Sequence, residues 1–497
     1  MLLVIGALMG LATLPTVSGC VQGPSPIGRV IQAVGDLQPF PEEAQREYDR
    51  FAGVYRQYAT PGEEADDQLD YFRFAYKRIR TNYVKPVADS QLVDFAIAGI
   101  EAKKPEAGAT APAALVEAAL DKMTTSLDPH SVFMNAREYQ ESFVHTKGEF
   151  GGLGIEVTME DGLVKVVAPI EETPAARAGM QSGDLIAAVD GDPIKGLTLA
   201  QAVRRMRGRP GEPIRLMIKR SGVPDFEVTI VRAIIKVRAV RWQTMGQVGY
   251  IRVSRFSERV DTGIAQAFAS IRRELGGDPS GIVLDLRNNP GGLLDQSVIL
   301  ADAFLSDGEI VSVRGRTAAK QRSFKAVVGD LAAGLPGVVL VNGGSASASE
   351  IVASALKSHK RATVMGSRTF GKGSVQTIIP MPVDGALRLT TALYYGPDGH
   401  TIQAKGVEPD IVIAPEKAPE AKANREADLP GAIAGEKEQD AHATTPTIPE
   451  TACPAADAPR RAGREQTEDR TLGCALAFLR VGSQDKFLAA YRTGGQM

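Results

Sequence analysis

The sequence is poor in cysteine, in net charge and in long apolar runs. Its 497 residues contain three cysteines, too few for a disulfide framework that could replace hydrophobic cores. The 57 basic and 59 acidic side chains nearly cancel, so the net charge gives no argument for a nucleic-acid partner. A chain of this length can form two or three domains, each with a substantial core.

The apolar N-terminal stretch is a poor candidate for a spanning helix. Residues 1–19 carry no charge, but Gly10 and Pro15 interrupt them, and a signal peptide fits their length better. The stretch ends at Val-Ser-Gly-Cys20, which resembles a bacterial lipobox in which Cys20 would be lipidated after cleavage. A basic residue ahead of the apolar run is missing, since the first one is Arg29. An uncleaved membrane anchor is the alternative, and both interpretations predict export to the bacterial periplasm or cell envelope.

The other two cysteines, Cys453 and Cys474, lie near the C-terminus. An exported protein permits them to pair, whereas two isolated thiols are the alternative. The sequence alone does not decide between these states.

The most informative stretch runs from Gly337 to Gln376. An apolar run enters a turn of small residues, and an apolar-periodic segment typical of a helix follows it. Small residues let the backbone approach another group closely, and the first turn of a helix carries unpaired N–H groups that stabilise negative charge. The pattern therefore predicts a place for a nucleophile and an oxyanion.

Two side chains of this stretch suggest a catalytic pair. Ser347 stands three residues before Glu350, which is also the spacing of a helix capping box, so a structural interpretation exists. Lys372 lies between two glycines, and a lysine becomes a general base when burial lowers its pKa. Ser347 and Lys372 could thus form a Ser-Lys dyad. Gln376 could orient the lysine amine, or it could be a polar strand residue facing solvent.

These residues match a known family. The runs Gly-Ser-Ala-Ser-Ala-Ser-Glu-Ile and Thr-Phe-Gly-Lys-Gly-Ser-Val-Gln closely resemble the carboxyl-terminal processing (tail-specific) proteases, which are serine peptidases with a PDZ domain. The resemblance extends from roughly Tyr71 to Ile413. It implies that Ser347 is the nucleophile, Lys372 the general base and Gln376 the residue that positions the lysine. It implies no metal and no cofactor.

The same resemblance implies an oxyanion hole. The backbone N–H of Ala348 is one expected donor, and a glycine of Asn289-Pro-Gly-Gly292 is the other. We prefer Gly292, although the sequence does not separate it from Gly291. An ordinary strand-to-helix turn is the structural alternative for both glycines.

A second glycine-rich run lies further toward the N-terminus. Gly151, Gly152, Leu153 and Gly154 precede an alternating strand, and the order of strands and helices that follows resembles a PDZ domain. Backbone N–H groups of such a loop can capture a terminal carboxylate, while the adjoining strand edge pairs with the peptide. The resemblance places these residues in the carboxylate-binding loop, whereas a simple β-turn is the structural alternative.

The predicted fold is therefore a multidomain α+β protein. Its expected parts are a signal segment (1–20), an N-terminal helical domain (40–145), a PDZ domain (149–232), an α/β serine-protease core (235–415, with 71–148 packed against it), a disordered linker (416–470) and a short C-terminal helix (471–492). The linker follows from a composition rich in small, charged and proline residues. In the family the terminal helix can contribute to subunit contacts, which suggests a homo-oligomer.

The predicted function is cleavage of exported proteins near their C-termini, with the PDZ domain recognising the substrate's free carboxylate and gating activity. The need for an adaptor protein is left open. A non-catalytic PDZ scaffold is the main alternative. A P-loop NTPase is disfavoured because Gly373 stands where the motif requires Ser or Thr. A Ser-His-Asp hydrolase is disfavoured because His359, the nearest histidine in sequence, is typical of a solvent-exposed helix end, and His130 is typical of a structural turn residue.

Overall fold

The computed structural model describes residues 39–492 except 148, 171–172, 237, 318, 320, 416–424, 436–444 and 459–466. The predicted signal segment and Cys20 lie outside the described residues. Within them the expected mixture of helices and sheets is confirmed. Every helix of the described part is too short or too polar to traverse a lipid bilayer.

Four helices form the N-terminal part of the described chain. They are α1 (Glu42–Tyr58), α2 (Glu63–Asn82), α3 (Asp89–Ala102) and α4 (Pro112–Thr125). Their apolar faces meet in one core that is rich in aromatic rings, with Phe51 and Phe72 stacked at 3.6 Å between centroids. Because Leu387 and Leu389 belong to the same core, the helices are packed against the later part of the chain.

The next elements lead into and through a PDZ-like unit. They are β1 (Val132–Met134), α5 (Ala136–Lys147), β2 (Glu149–Gly152), β3 (Ile155–Glu160), β4 (Leu163–Pro169), α6 (Pro174–Arg177), β5 (Leu185–Val189), β6 (Asp192–Pro193), α7 (Leu199–Met206), β7 (Pro213–Arg220), β8 (Val223–Val231) and β9 (Ala233–Lys236). Strands β3, β4, β5, β7 and β8 form one sheet with β6 at its side, and β2 pairs with β9 at the entry and exit of the unit. The unit has a hydrophobic core of its own.

The chain then alternates between strands and helices. The elements are β10 (Val240–Met245), β11 (Val248–Val253), α8 (Val260–Leu275), β12 (Gly281–Asp285), α9 (Leu294–Asp302), β13 (Glu309–Gly315), β14 (Gln321–Lys325), β15 (Gly337–Val341), α10 (Ala348–Ser358), β16 (Thr363–Gly366), β17 (Ser374–Pro380), β18 (Ala386–Tyr395) and β19 (Ile411–Ala414). The C-terminal elements are β20 (Thr447–Pro449), α11 (Arg470–Val481) and α12 (Gln484–Arg492).

A seven-stranded sheet forms the centre of the protease part, in the order β10-β11-β12-β15-β16-β19-β20. All pairs are parallel except β10 with β11. Strands β12 and β15 are buried along their whole length, as expected for strands covered on both faces. One face packs against α8, α9 and α10, and the other against α11 and α12.

A smaller sheet lies beside the first. Strand β18 is its longest member and pairs with β1, β13 and β17, while β14 pairs with β13. Because β18 contacts the helical core on one side and carries β17 on its edge, it connects the N-terminal helices to the segment that follows Lys372.

The C-terminal region differs from the predicted linker. Its described residues include a short 3-10 turn at Glu426–Asp428, strand β20 on the edge of the large sheet, and a disulfide between Cys453 and Cys474. The predicted single terminal helix is two helices, α11 and α12, separated at Gly482. The composition did not predict this structure, because composition reports how many apolar residues a segment has and not which tertiary surfaces those residues pack against.

Candidate active site

Ser347 lies at the start of α10, after the carboxyl end of the parallel strand β15. This is where open α/β sheets place their sites. Its φ of +55° belongs to a region that non-glycine residues rarely adopt, at a cost of roughly 1–3 kcal/mol. The side chain is 8% exposed. The backbone N–H of Ser347 donates to the Glu350 carboxylate at 2.7 Å, which holds the strained turn in place.

The Glu350 carboxylate joins the serine and lysine segments. Its Oε2 accepts the backbone N–H of Ser347 at 2.7 Å and that of Lys372 at 2.9 Å. Its Oε1 accepts the hydroxyl of Thr369 at 2.5 Å and the N–H of Gly371 at 2.7 Å. Burial raises the pKa of Glu350 to about 7, against the opposing effect of these donors. One fully buried carboxylate therefore fixes both backbones to a single point.

Lys372 occupies a largely desolvated position. Burial lowers the pKa of its amine, and the positive charge of Arg388 lowers it further. The carboxylates of Glu426, Asp128 and Glu350 act in the opposite direction. The net effect is a lowered pKa, so the Lys372 amine gives up its proton more readily than an ordinary lysine and more easily reaches the neutral form that a general base requires.

The backbone around Lys372 is held on several sides. Phe370 N–H donates to the carbonyl of Ser345 at 3.0 Å, which ties the lysine segment to the turn before Ser347. Gly373 N–H donates to the side-chain oxygen of Gln403 at 2.9 Å. We call residues 370–373 the lysine loop. Its conformation is set by partners from distant parts of the chain.

Gln376 lies on β17, within a hydrogen-bond network. Its amide nitrogen donates to the hydroxyls of Ser374 at 2.9 Å and Thr390 at 3.3 Å. Thr390 in turn donates to the Asp128 carboxylate at 3.0 Å. The nitrogen of Gln376 is thus used inside the protein, and its carbonyl oxygen is the atom suited to accept from an amine.

The two glycines that the sequence could not separate differ in their hydrogen bonds. Gly291 N–H donates to the side chain of Asn289 at 2.9 Å, whereas no acceptor among the described residues takes the N–H of Gly292 or of Ala348. A Cβ atom at Gly291 would lie 2.8 Å from Ser347 Cβ and 3.0 Å from Ala348 N. The glycine loop therefore lies directly against Ser347, the predicted nucleophile, and its close approach requires glycine.

The histidines occupy structural positions. His130 Nε2 pairs with the Glu426 carboxylate at 2.8 Å. His359 caps the far end of α10, where its Nε2 contacts the carbonyl of Glu309 at 2.7 Å.

The P-loop alternative fails as well, because the residues after Lys372 form strand β17 and not a helix. In the part of the chain that the structure describes, no group of three or more His, Cys, Asp or Glu side chains is arranged to hold a metal ion.

The glycine run of the PDZ-like unit is placed differently from the sequence expectation. Gly151 and Gly152 lie in strand β2, where they pair with Ile234 and Ala233 of β9. The turn before β3 contains Leu153 and Gly154. The expectation of one four-residue loop was too broad because a strand ladder already uses the first two glycines.

Sequence reasoning missed several residues at this site. Glu350 was noticed as a capping partner, yet a glutamate inside an otherwise apolar helix start was a signal of a special role. Gln403 and Glu426 carried no local signal. Both are buried and both act on the lysine loop from 30 or more residues away in sequence.

Comparison with known proteins identifies the family of this chain. A family model described as peptidase family S41 matches residues 247–413, and a PDZ domain model matches residues 151–230. A carboxy-terminal-processing protease of Bartonella bacilliformis is 48% identical over 379 residues, which cover 75% of this chain and 82% of that protein. The carboxy-terminal processing protease CtpA of Bacillus subtilis is 33% identical over 350 residues, covering 70% of this chain and 69% of the relative.

Among solved structures, the photosystem II D1 C-terminal processing protease is 27% identical, with a TM-score of 0.44 over 70% of this chain and 92% of the other. The extended similarity to the Bartonella bacilliformis protease is the decisive finding. The chain belongs to peptidase family S41, the carboxy-terminal-processing proteases, and is a serine peptidase that carries a PDZ domain.

Proposed function

We propose that the protein is a serine endopeptidase in which Ser347 is the nucleophile and Lys372 the general base, acting near the C-termini of its substrates. The observation that carries the proposal is the Glu350 carboxylate, one oxygen of which accepts the backbone N–H of both residues. A shared acceptor places the serine and lysine segments next to each other. Burial lowers the pKa of the Lys372 amine, which supports its role as a base.

The chemistry follows from these positions. The neutral amine of Lys372 takes the proton of the Ser347 hydroxyl while the serine oxygen attacks the scissile carbonyl carbon. The resulting oxyanion accepts hydrogen bonds from the N–H groups of Ala348 and Gly292, which no described residue uses. The lysine ammonium then gives its proton to the leaving amine, and water hydrolyses the acyl-enzyme by the reverse route.

Gln376 fits the role of orienting the lysine. Because its amide nitrogen is already bonded to Ser374 and Thr390, its carbonyl oxygen is the atom that can accept a hydrogen from the lysine amine. The neighbouring Asp128 fixes Thr390 and so indirectly fixes the orientation of the Gln376 amide.

The PDZ domain supplies substrate recognition in this proposal. Among the described residues β3 pairs only with β4, so its other edge is open for β-augmentation by an extended peptide. The N–H groups at Leu153 and Gly154, in the turn that leads into β3, suit a terminal carboxylate. Binding there would anchor the substrate tail and gate cleavage upstream of it.

Export to the cell envelope is part of the proposal. The bond between Cys453 and Cys474 supports it, because disulfides persist in oxidising compartments. Attachment to the membrane surface through Cys20 or an uncleaved anchor, an adaptor and a homo-oligomer stay predictions from the sequence.

The test is cleavage of a peptide with a free apolar C-terminus by the wild type and by Ser347→Ala and Lys372→Ala. We expect kcat/KM to fall by about 10²–10⁴-fold in each variant. Lys325→Ala is the matched control, because it removes an exposed lysine on β14, outside the proposed site. We expect its activity to be unchanged. In the wild type the ascending limb of kcat/KM should lie below the pH at which an ordinary lysine titrates, because burial lowers the pKa of Lys372.

Full activity of either variant would remove the dyad from the mechanism. A C-terminally amidated peptide tests the PDZ role separately. We expect a higher KM for the amidated peptide, since the terminal carboxylate is lost, and equal kinetics would count against carboxylate capture. A wild type that cleaves neither peptide and reacts with no serine-directed probe would favour the non-catalytic scaffold.

A further inference from the structure

Residues 425–435 form a short segment that lies against the lysine loop, although composition predicts a linker there. The backbone N–H of Glu426 donates to the carbonyl of Phe370 at 3.1 Å. The carbonyl of Ile433, a residue that is 4% exposed, accepts the side-chain amide of Gln403 at 3.0 Å. We call residues 425–435 the docking segment.

The docking segment carries a buried carboxylate. Glu426 is 1% exposed, and both of its carboxylate oxygens have partners. Oε2 pairs with His130 Nε2 at 2.8 Å, and Oε1 accepts the amide of Gln403 at 2.9 Å. Burying a carboxylate is costly unless it is paired and hydrogen-bonded. A segment that only connects two domains has no need of such a group, so its burial indicates a role at the place where it docks.

Gln403 transmits that contact to the catalytic lysine. Its amide nitrogen donates to Glu426, and its side-chain oxygen accepts the N–H of Gly373, the residue after Lys372. The preceding N–H groups of the lysine loop are held by Glu350 from the other side. The lysine loop thus lies between two buried carboxylates. Glu350 contacts it directly, and Glu426 acts on it through the side-chain amide of Gln403.

We propose that Glu426 is a positioning residue of the peptidase site, which holds the lysine loop through Gln403 and through its own backbone N–H. The docking segment is therefore a part of the active site that the chain supplies from the stretch between strands β19 and β20. This inference rests on the proposed role of Lys372 as the general base.

The charge of Glu426 gives the proposal a second consequence. Glu426 favours the ammonium form of Lys372 and raises its pKa, against the larger effect of burial. The other charged groups that act on this region are Arg388, Asp128, Glu350 and His130. If the carboxylate is replaced by an amide of the same shape, the loop keeps its contacts and the neutral lysine becomes easier to form.

The experiment compares four variants of the full chain with the wild type. Glu426→Gln keeps the shape and removes the charge, Glu426→Ala removes both, and Gln403→Ala removes the connecting amide. Glu101→Gln is the matched control, because it makes the same Glu-to-Gln change at an exposed position near the end of α3. The measurements are kcat and KM on the free-carboxylate peptide, the pH profile of kcat/KM, and the thermal unfolding midpoint.

We expect Glu426→Ala and Gln403→Ala to lower kcat by about 10–100-fold with little change in KM, because a misplaced base affects the chemical step. A further double variant that combines Glu426→Ala with Gln403→Ala should lose little more kcat than either single variant, since both residues act through one chain of hydrogen bonds. Glu426→Gln should retain most of kcat and shift the ascending limb of the pH profile downward by about 0.5 unit or more. Glu101→Gln should match the wild type.

Two results would overturn the inference. One is an ascending limb of the pH profile in Glu426→Gln that coincides with the limb of Glu101→Gln. This readout needs only a folded Glu426→Gln protein, so it holds even if Glu426→Ala is too unstable to assay. The other is an unchanged kcat in a stably folded Gln403→Ala. A failure of the proposed function looks different, because there Ser347→Ala or Lys372→Ala would keep the wild-type rate.

Discussion

Among single residues, Glu350 shows how the site combines stability and chemistry. Its side chain is fully buried and accepts four hydrogen bonds, two of which come from the backbones of Ser347 and Lys372, the proposed reacting residues. Burial nevertheless raises its pKa to about 7. The ionised carboxylate can accept hydrogen bonds from all four donors, but the protein must then keep a negative charge in a buried, poorly solvated environment.

The first residue-scale prediction concerns Glu350→Gln. An amide replaces one acceptor oxygen by a donor, so at least one N–H of Ser347, Gly371 or Lys372 loses its partner. We expect kcat to fall by about 100-fold or more because the serine and lysine segments shift. Glu101→Gln makes the same chemical change at an exposed position near the end of α3 and serves as the control. Wild-type kinetics in Glu350→Gln would contradict the shared-acceptor geometry.

The same variant tests the sign of a pH effect on stability. The folded protein binds the Glu350 proton more tightly than the unfolded chain does, since its pKa is raised from 4.5 to about 7. This group's stabilising contribution is thus complete below about pH 4.5 and is lost as the pH rises through about 7. We expect thermal unfolding midpoints of wild type to fall between about pH 5 and 8 by more than those of Glu350→Gln.

At the scale of elements, α11 is joined to the loop that carries Gly291 and Gly292. Arg287 lies at the start of that loop and contacts both Asp285 at 2.7 Å and Asp469 at 2.7 Å. Asp469 is also the N-cap of α11, where it accepts the N–H of Leu472 at 2.9 Å. Although burial opposes it, Arg287 and then Arg252 hold the pKa of Asp285 below its usual range. The terminal helix is thus tied electrostatically to the active-site face.

We predict that Asp469→Ala lowers the free energy of unfolding by about 1–3 kcal/mol, since it removes both a helix cap and a charge-assisted partner of Arg287. Glu468→Gln, which alters a neighbouring exposed carboxylate, should change it by less than about 0.5 kcal/mol. Urea unfolding of the three proteins measures the difference. Equal stabilities for Asp469→Ala and Glu468→Gln would show that α11 docks without this ion pair.

At the scale of the whole molecule, the C-terminal region completes the protease body. Strand β20 extends the large sheet, α11 and α12 cover one of its faces, and the docking segment reaches the lysine loop. The disulfide between Cys453 and Cys474 links the segment after β20 to α11 across 21 residues of sequence. The region therefore acts on stability and on the site at once.

We expect reduction of this disulfide to lower the free energy of unfolding by about 2–4 kcal/mol, because the bond restricts the unfolded chain. The measurement is urea unfolding of the wild type with and without reductant. Cys474→Ala should give the lower stability in both conditions and show no response to reductant. A wild type whose unfolding midpoint is indifferent to reductant would mean that the two thiols do not pair in solution.

Much of the site was readable from local sequence. Ser347, Lys372 and Gln376 lie in two short runs whose residue types reflect a tight turn, a helix start and a strand, and these features depend on near neighbours. The choice between Gly291 and Gly292 was not readable, because it depends on which amide the side chain of Asn289 takes.

The sequence by itself determined the order of helical segments, short strands and an alternating α/β part, since helix and strand periodicity and turn residues are local properties, and a family resemblance identified the PDZ unit. Only the tertiary structure decided that Glu426, Gln403 and Asp469 contact the site, because burial and hydrogen bonding depend on surfaces far apart along the chain. A linker-like composition concealed those contacts. One buried carboxylate can give a polar segment a role at the site without changing the average composition of that segment.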